Sequence, residues 1–160
     1  TVISGLGHLE GKTVSILTDG YTVSDQVVSS GVIILQRAAS KVHVGLSYIP
    51  AIETLDIDTP SPSQTIKAQS VSVSKVTVEV SGSRGGFVGP RQDDGSAPPM
   101  SEIKPRFDSD NYDPIALKTY KQEVFIQPQW SKGGGLRIEQ RAPLPMAILS
   151  VIPQVDTGGN

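Results

Sequence analysis

The chain contains no cysteine, which excludes disulfide bonds, thiolate metal ligands and cysteine nucleophiles. It has no apolar run approaching the roughly 20 residues of a membrane-spanning helix and no charged-then-apolar leader of the secretory kind. Aromatic residues make up only 5% of the 160 residues. The sequence therefore predicts no membrane span. The absence of cysteine fits a reducing and an oxidising compartment equally well.

Charge is sparse as well, at 19% of the residues and a formal net charge of −2. Tight nucleic-acid binding needs a cluster of Lys and Arg that displaces counterions, whereas the 14 basic residues here are scattered. We expect no tight nucleic-acid binding. Glycine and proline are abundant instead, with 16 and 12 residues, which is typical of many turns rather than long amphipathic helices.

The first 50 residues show short strand patterns between turn signals, at intervals of roughly ten residues. Asp19-Gly20 is a hairpin signal, because glycine tolerates the positive φ of a tight turn. Ser30-Gly31 predicts a second turn. Four strands fit this pattern and predict an antiparallel meander that curls into a small barrel or sandwich: residues 13–16, 21–28, 32–35 and 41–48.

The longest strand pattern covers residues 65–80, and its alternation contains a fault near Lys75. A one-residue slip would expose half of the valines, so we predict a β-bulge or sharp bend there. A short helix over residues 67–74 is the weaker alternative, because that segment is rich in β-branched residues and serine. The valines on the two sides of the fault are Val71 and Val73, then Val76, Val78 and Val80.

The rest of the chain alternates between strand patterns and irregular segments. Residues 51–58 are predicted to continue the sheet before a loop at 59–64, and residues 81–90 to form a flexible loop. An irregular, proline-rich surface excursion is predicted over residues 84–121. Strands resume at 123–126 and 136–139. The last strand, 146–155, is apolar on both faces, which predicts a central position.

Together these patterns predict one all-β module over residues 1–160, with a sub-barrel at residues 5–50 as an option within it. The module is an antiparallel meander forming a small barrel or sandwich, with the long irregular excursion on its surface. The first residue is Thr1 rather than Met, and we expect the chain to have been excised from a longer one.

Two motifs match the spacing of known catalytic groups. Asp156-Thr157-Gly158 is the tripeptide that supplies the carboxylate of aspartic proteases, but a polar tail or turn explains it as well. Ser72 and Lys75 have the S-x-x-K spacing of serine acyltransfer enzymes, which works on a helix, where residues three apart are neighbours. On a strand they point to opposite faces. We therefore predict no catalytic residues and no enzyme activity.

Three further groups of residues have some features of ligand-binding sites. The glycines of Gly5-Leu6-Gly7 and Gly11 resemble a dinucleotide fingerprint, but a strand pattern follows instead of the required helix. Residues 108–113 cluster oxygen donors suited to calcium, without the Gly and closing Glu of an EF-hand loop. His8 and His43 are too few for a typical zinc centre. We predict no metal-binding residues, no cofactor-binding residues and no cofactor.

Five segments resemble, in their order and in their amino-acid sequence, the distal part of virion proteins of short-tailed bacteriophages, of the tail nozzle or packaged-DNA-stabilising type. HLEG, RAASKVHVGL and PLPMAILSVIP are the most specific strings. The opening segment also resembles the small barrel called the first catalytic cysteine half-domain in ubiquitin-activating enzymes, without a catalytic cysteine. The segments are GLGHLEGKTVSILTDG (5–20), RAASKVHVGLSY (37–48), IETLDI (52–57), KVTVEVSGSRGGFVGP (75–90) and GGLRIEQRAPLPMAILSVIPQVDTGG (134–159).

The resemblance implies a structural protein located in the virion, in the phage tail. Its partners would be other tail proteins and copies of itself, six to a ring in the full-length protein, around the channel through which DNA leaves. A rival hypothesis is a receptor- or glycan-binding module at a tail tip, which would need exposed aromatic faces. The candidates are Trp130, Tyr48, Tyr112, Tyr120 and the three phenylalanines.

Overall fold

A computed structural model describes residues 1–58, 69–104 and 116–158. Within these residues the regular structure consists of thirteen β-strands and one short 3-10 helix, Gly7–Leu9. The strands pair in antiparallel fashion and form four sheets around two clusters of buried apolar side chains. The predicted all-β fold of packed antiparallel sheets is confirmed.

The strands, in chain order, are β1 (Val2–Ile3), β2 (Thr13–Thr18), β3 (Tyr21–Val27), β4 (Ile33–Ile34), β5 (Val42–Leu46), β6 (Ala51–Glu53), β7 (Val71–Ser83), β8 (Phe87–Pro90), β9 (Ser101–Glu102), β10 (Lys118–Phe125), β11 (Trp130–Ser131), β12 (Leu136–Glu139) and β13 (Ile148–Thr157).

The first five strands surround the smaller cluster. β2 lies between β3 and β5, while β4 pairs with β1. The strand order therefore departs from a sequential meander, because Ile33 pairs with Ile3 and Ile34 with Val2 instead of returning along β3. Alternate residues of β2 point inward, as the sequence pattern predicts. The buried members of this cluster are Val14, Ile16, Val28, Ile33 and Leu35.

Both predicted turns are present, and a carboxylate holds each one. Asp19 and Gly20 have φ values of 47° and 86°, so both central residues of the β2–β3 hairpin are left-handed, as a type I′ turn requires. The Asp19 carboxylate accepts the backbone N–H groups of Ser40 (2.8 Å) and Lys41 (2.7 Å). This contact ties the hairpin to the start of β5.

A carboxylate that accepts two backbone N–H groups also holds the second turn. Ser30 and Gly31 have φ values of 54° and 67°, and their N–H groups donate to the Glu10 carboxylate at 2.9 and 2.7 Å. Serine rarely adopts a positive φ, and the carboxylate offsets that cost by binding two adjacent amides. The turn is thereby fixed against the segment that follows the 3-10 helix.

The remaining strands form two sheets around the larger cluster. β7 is the central strand of the first, with β13 on one side and β10 and β11 on the other. The second has the order β6-β12-β8-β9, so residues 51–53 of the predicted strand at residues 51–58 join this sheet. The buried side chains between the sheets are Val73, Val76, Val78, Val80, Val88, Ile103, Val124, Ile126, Leu136 and Ile138.

The predicted bulge in the long strand is confirmed. Lys75 pairs with Gln154, whereas Val73 pairs with the next residue of β13, Val155. Ser74 is thus the extra residue of β7. As a result, Val73 and Val76 are both buried, at 4% and 0% exposure, although they are three positions apart on a strand.

The prediction of a flexible loop at residues 81–90 is wrong. The predicted surface excursion over residues 84–121 is irregular at residues 91–100, but it is wrong for its other described parts, which contain β8, β9, the buried Ile103 and the start of β10. β7 continues to Ser83, β8 follows at Phe87–Pro90, and Ile103 is fully buried. The glycines here serve close packing. A Cβ on Gly86 would meet the Met146 side chain at 2.8 Å. Residues 59–68 and 105–115, including the proposed calcium-binding loop at 108–113, lie outside the described residues.

The predicted central position of the last strand is also wrong. Among the described strands β13 pairs with β7 alone, so it is an edge strand. Its two apolar faces have different surroundings. Val151 and Val155 pack on the larger cluster, whereas Leu149 and Ile152 are 60% and 53% exposed.

Arg84 connects the two halves of the fold. This side chain is only 6% exposed, and its Nη2 donates to the backbone oxygen of Gly20 in the β2–β3 hairpin at 2.6 Å. The backbone oxygen of Arg84 accepts a hydrogen bond from Gln140 Nε2 at 3.0 Å. The hairpin is therefore anchored to the residues that follow β7 and β12.

The triple glycine before β12 allows three close contacts. Gly133 lies against the Asp56 carboxylate and Gly135 against the Arg91 guanidinium, and Arg91 donates to Asp56 at 2.6 Å. Gly134 has a φ of 61°, and a Cβ on it would lie 2.7 Å from Cγ2 of the buried Val71. These glycines allow β12 to start beside β7 without displacing the core.

We expect Gly134→Ala to lower the free energy of unfolding by about 1–3 kcal/mol, because the alanine meets both a left-handed backbone and a buried neighbour. Urea denaturation measures the change. Gly45→Ala is the matched control, since Gly45 lies in β5 with open space at its Cβ position, and its effect should stay within about 0.5 kcal/mol. Equal effects of the two substitutions would contradict this assignment.

Candidate functional site

A cleft of about 460 Å³ lies between β3 and the segment that links β4 to β5, residues 35–39. Its base includes Val23 and Ala39, which pack on the smaller cluster. Hydroxyl and amide side chains of β3 line one wall, and the backbone and side chains of residues 35–39 form the other. The volume falls in the range of roughly 300–1,000 Å³ typical of ligand pockets.

Arg37 is the basic residue that lines this cleft. It is exposed and forms no ion pair with another residue that the structure describes. The acidic lining residue is Asp19, whose carboxylate already binds the amides of Ser40 and Lys41. Arg37 is therefore a charged group of the cleft wall without an ion-pair partner among the described residues, whereas the Asp19 carboxylate is held by two amides.

Gln26 bridges the cleft at the end away from the hairpin turn. Its Nε2 donates to the backbone oxygen of Ile34 at 2.9 Å, and its Oε1 accepts the N–H of the same residue at 3.2 Å. A side-chain amide has the hydrogen-bonding groups of a peptide unit. Gln26 therefore pairs with β4 as a short stretch of strand would.

A charged network lies on the second sheet. The Glu139 side chain is 8% exposed, and its carboxylate accepts hydrogen bonds from Arg141 Nε at 2.6 Å and Arg137 Nε at 3.2 Å. Arg137 also donates to Glu53 at 2.7 Å, and the Arg141 guanidinium lies 4.4 Å from the centre of the Phe87 ring. The network thus joins β6, β12 and β8.

Its electrostatics favour an ionised Glu139. Burial by itself raises the pKa of this carboxyl, but the hydrogen bonds and charges of Arg141 and Arg137 outweigh burial and hold the pKa below its ordinary value. Each group is satisfied by its neighbours within the network. We assign this cluster to the stability of the sheet rather than to chemistry.

Two aromatic rings stand on the outer face of the first sheet. Phe125 is 75% exposed and Trp130 is 62% exposed. They pair with Lys75 and Ser72 of the same strand, β7, so they are neighbours along one side of it. The Trp130 ring reaches the Gly158 backbone, where a Cβ would lie 3.4 Å from its Cζ3.

The motifs with catalytic spacing occupy ordinary strand positions. Asp156 and Thr157 are exposed residues of β13, and Asp156 pairs with Ser72. Ser72 is 4% exposed, while the Lys75 amine lies 3.3 Å from the Glu123 carboxylate. No hydrogen bond between described residues joins Ser72 to Lys75 in the manner that an activated serine requires.

The remaining candidates are also dispersed. His8 belongs to the 3-10 helix and His43 to β5, and Gly5 and Gly11 have positive φ values at turns. Within the described ranges, no group of three or more His, Asp or Glu side chains lies close enough to hold a metal ion. Of the described sequence candidates, the structure brings together Ser72 and Asp156, as cross-strand partners in β7 and β13.

The sequence reasoning missed both the cleft and the charged network. The network has a local signal, since Arg137, Glu139 and Arg141 alternate with period two and so face the same side of a strand. The cleft has no local signal, because its two walls meet only when β4 pairs with β1.

No protein-family model and no curated protein matches this chain. In the part of the chain that the structure describes, no helix is both long and apolar enough to cross a membrane.

We expect Glu139→Gln to lower the free energy of unfolding at pH 7 by about 1–3 kcal/mol, because two arginines lose their charged acceptor. The contribution of ionised Glu139 is fully present above its ordinary pKa of 4.5 and is lost as the pH falls through its lowered pKa. Denaturation between pH 7 and 3 should therefore show the difference between the two proteins shrinking on acidification.

The exposed Glu102 of β9 provides the control, and Glu102→Gln should leave the pH profile of stability unchanged. A Glu139→Gln protein whose stability deficit is the same at pH 3 as at pH 7 would show that the carboxylate charge is not what stabilises the network.

Proposed function

We propose that this chain is a structural component of a bacteriophage tail, a subunit of the nozzle or tube that supports the DNA exit channel. The five segments quoted above support this proposal by their resemblance to tail nozzle proteins. The all-β fold is compatible with it, since stacked and ring-forming modules need extended protein contact surfaces rather than a reaction centre.

One structural observation supports a role in protein contact. Within the ten residues from Leu46 to Leu55, which join the smaller cluster to the larger one, five large apolar side chains are more than half exposed. Contiguous exposed apolar surface in folded proteins marks contact sites for other molecules. The five are Leu46 (57%), Tyr48 (77%), Ile49 (55%), Ile52 (58%) and Leu55 (87%).

The proposed partners are copies of the same protein, six around a ring in the full-length form, together with other tail proteins. Contacts around a ring are heterologous, so one patch of a subunit meets a different patch of its neighbour. The segment from Leu46 to Leu55 is one such patch in this proposal. The low charge of the chain suits a channel support past which DNA moves without being held.

The test is cryo-electron microscopy of the phage particles whose genome encodes the chain, compared with particles carrying Ile52→Ser and Leu55→Ser together. We expect the wild-type chain in the tail channel complex, and we expect the double variant to reduce the yield of particles with intact tails. Both side chains are exposed, so the isolated variant should unfold at the same urea concentration as the wild type.

Leu149→Ser is the matched control, because Leu149 is equally apolar and 60% exposed but lies in β13. It should leave tail assembly intact. Density for the chain outside the tail channel complex would overturn the proposal, and normal assembly of the double variant would remove the segment from the contact.

A second candidate function is a glycan-binding module at a tail tip. The exposed, neighbouring rings of Trp130 and Phe125 favour it, because sugars stack their apolar faces on aromatic rings. The hydrogen-bonding side chains Gln154 and Asp156 occupy the paired positions across β7. This is the arrangement of an aromatic platform with a polar border.

Trp130 is the single tryptophan of the chain, so its fluorescence reports directly on this surface. For a glycan-binding module we expect saturable changes in emission with oligosaccharides released from bacterial surface lipopolysaccharide, and roughly tenfold weaker binding in Phe125→Ala. Tyr48→Ala serves as the control for an exposed aromatic elsewhere. Unchanged emission across the oligosaccharides would exclude this candidate.

A further inference from the structure

The cleft beside β3 runs along an unpaired strand edge. Among the described strands β3 pairs with β2 alone. Thr18 and Tyr21 close the two-residue hairpin and exchange backbone hydrogen bonds, so the next pair, Leu17 and Thr22, does not. The N–H and C=O of Thr22 therefore point away from β2, and Thr22 lines the cleft.

Gln26 bounds the cleft at the end away from the hairpin turn. Gln26, on β3, spans it with a single side-chain amide that pairs with both backbone groups of Ile34. A register shift between Val23 and Gln26 interrupts the edge of β3, so the outward backbone groups that a partner would meet are those of Thr22. The space for an additional strand thus lies between the hairpin turn and Gln26, where the cleft is open.

The side chains that line the cleft indicate which peptide sequence fits it. The base is apolar at Val23 and Ala39, and the side opposite β3 carries Arg37, which has no ion-pair partner among the described residues. A strand added here alternates its side chains between the base and the outside. An apolar side chain of this strand would contact the base, and an acidic side chain would form an ion pair with Arg37.

We propose that this cleft binds a short extended acidic segment of a partner protein, which adds to β3 as a further strand. Backbone hydrogen bonds to Thr22 give the segment its orientation, and Arg37 selects for acidic residues. This goes beyond the proposed tail function and does not depend on it, because the isolated chain binds the segment whether or not it belongs to a phage particle.

The experiment titrates the ¹⁵N-labelled chain with a capped synthetic pentapeptide that alternates valine and aspartate, and with one that alternates valine and lysine. We expect the acidic peptide to shift the amide resonances of residues 21–26 and 35–39 in a saturable manner, and the basic peptide to shift none of them. Raising the salt concentration should weaken binding, since Arg37 is exposed to solvent.

Two variants test the two interactions separately. Thr22→Pro removes the outward N–H and should abolish binding while the fold is kept, because proline is tolerated at a free strand edge. Arg37→Gln should weaken binding roughly two- to fivefold, the range of an exposed ion pair. Arg37→Glu should reverse the preference, so that the basic peptide binds more tightly than the acidic one, and this charge exchange tests the site even if Thr22→Pro fails to fold.

Lys132→Glu is the matched control, since Lys132 is exposed and lies beside the triple glycine in the other half of the fold. It should leave both titrations unchanged. The proposal is overturned if the acidic peptide shifts no resonance of the cleft, or if the two peptides bind equally well to the wild type. Concentration-dependent shifts of the same resonances without peptide would assign the cleft to a second copy of this chain instead of a partner protein.

Discussion

The bulge at Ser74 is the constraint on which the larger half of the fold depends. β7 supplies buried valines on both sides of this residue, and the extra residue brings Val73 and Val76 to the same face. Without it, one of the two groups of valines would face solvent. The same bulge shifts the register of β13, which pairs with β7 on both sides of Ser74, and it separates the part of β7 that pairs with β11 from the part that pairs with β10. The core and the surface of this sheet therefore follow from one irregularity in the middle of one strand.

Local chemistry made some of these features predictable. The alternation of valines shows where β7 must bulge, because both groups of valines can lie on one buried face only if an extra residue lies between them. The Asp19-Gly20 and Ser30-Gly31 turns were predicted correctly because positive φ values restrict the residues that can occupy them. In each case the deciding interaction lies within a few residues of chain. The all-β class follows from the sum of such signals.

The errors concern features that depend on distant partners. Glycines at residues 82–89 suggested a loop, but Gly86 lies against Met146 and Gly89 against Pro99 and Met100, contacts that sequence spacing does not reveal. β13 looked central because both of its faces are apolar. Its outer face instead exposes Leu149 and Ile152. An apolar residue on a strand thus indicates either core or contact surface, and only the tertiary arrangement distinguishes the two.

In the candidate site, too, local patterns predict some features, whereas others depend on distant parts of the chain. Arg137, Glu139 and Arg141 share a strand face by simple alternation, so their association was accessible from the sequence. The cleft was not, because it exists only where residues 35–39 leave β4 and pass opposite β3. Its amide bridge depends on Gln26 reaching Ile34, eight residues away, across a gap that no local pattern encodes. The segment from Leu46 to Leu55 likewise became a contact candidate only once its exposure was known.

Two edge strands, β13 and β3, each pair with a single strand among those described, and their edges differ in a way that bears on which one accepts a partner. β13 contains Pro153, which has no N–H, and a second bulge at Leu149, where Ile148 pairs with Val80 but Ser150 with Glu79. Proline and bulges are the devices by which edge strands avoid pairing with other chains. The edge of β3 has no proline, and Thr22, whose backbone groups point away from β2, lines the cleft. Strand addition is therefore favoured at β3 over β13.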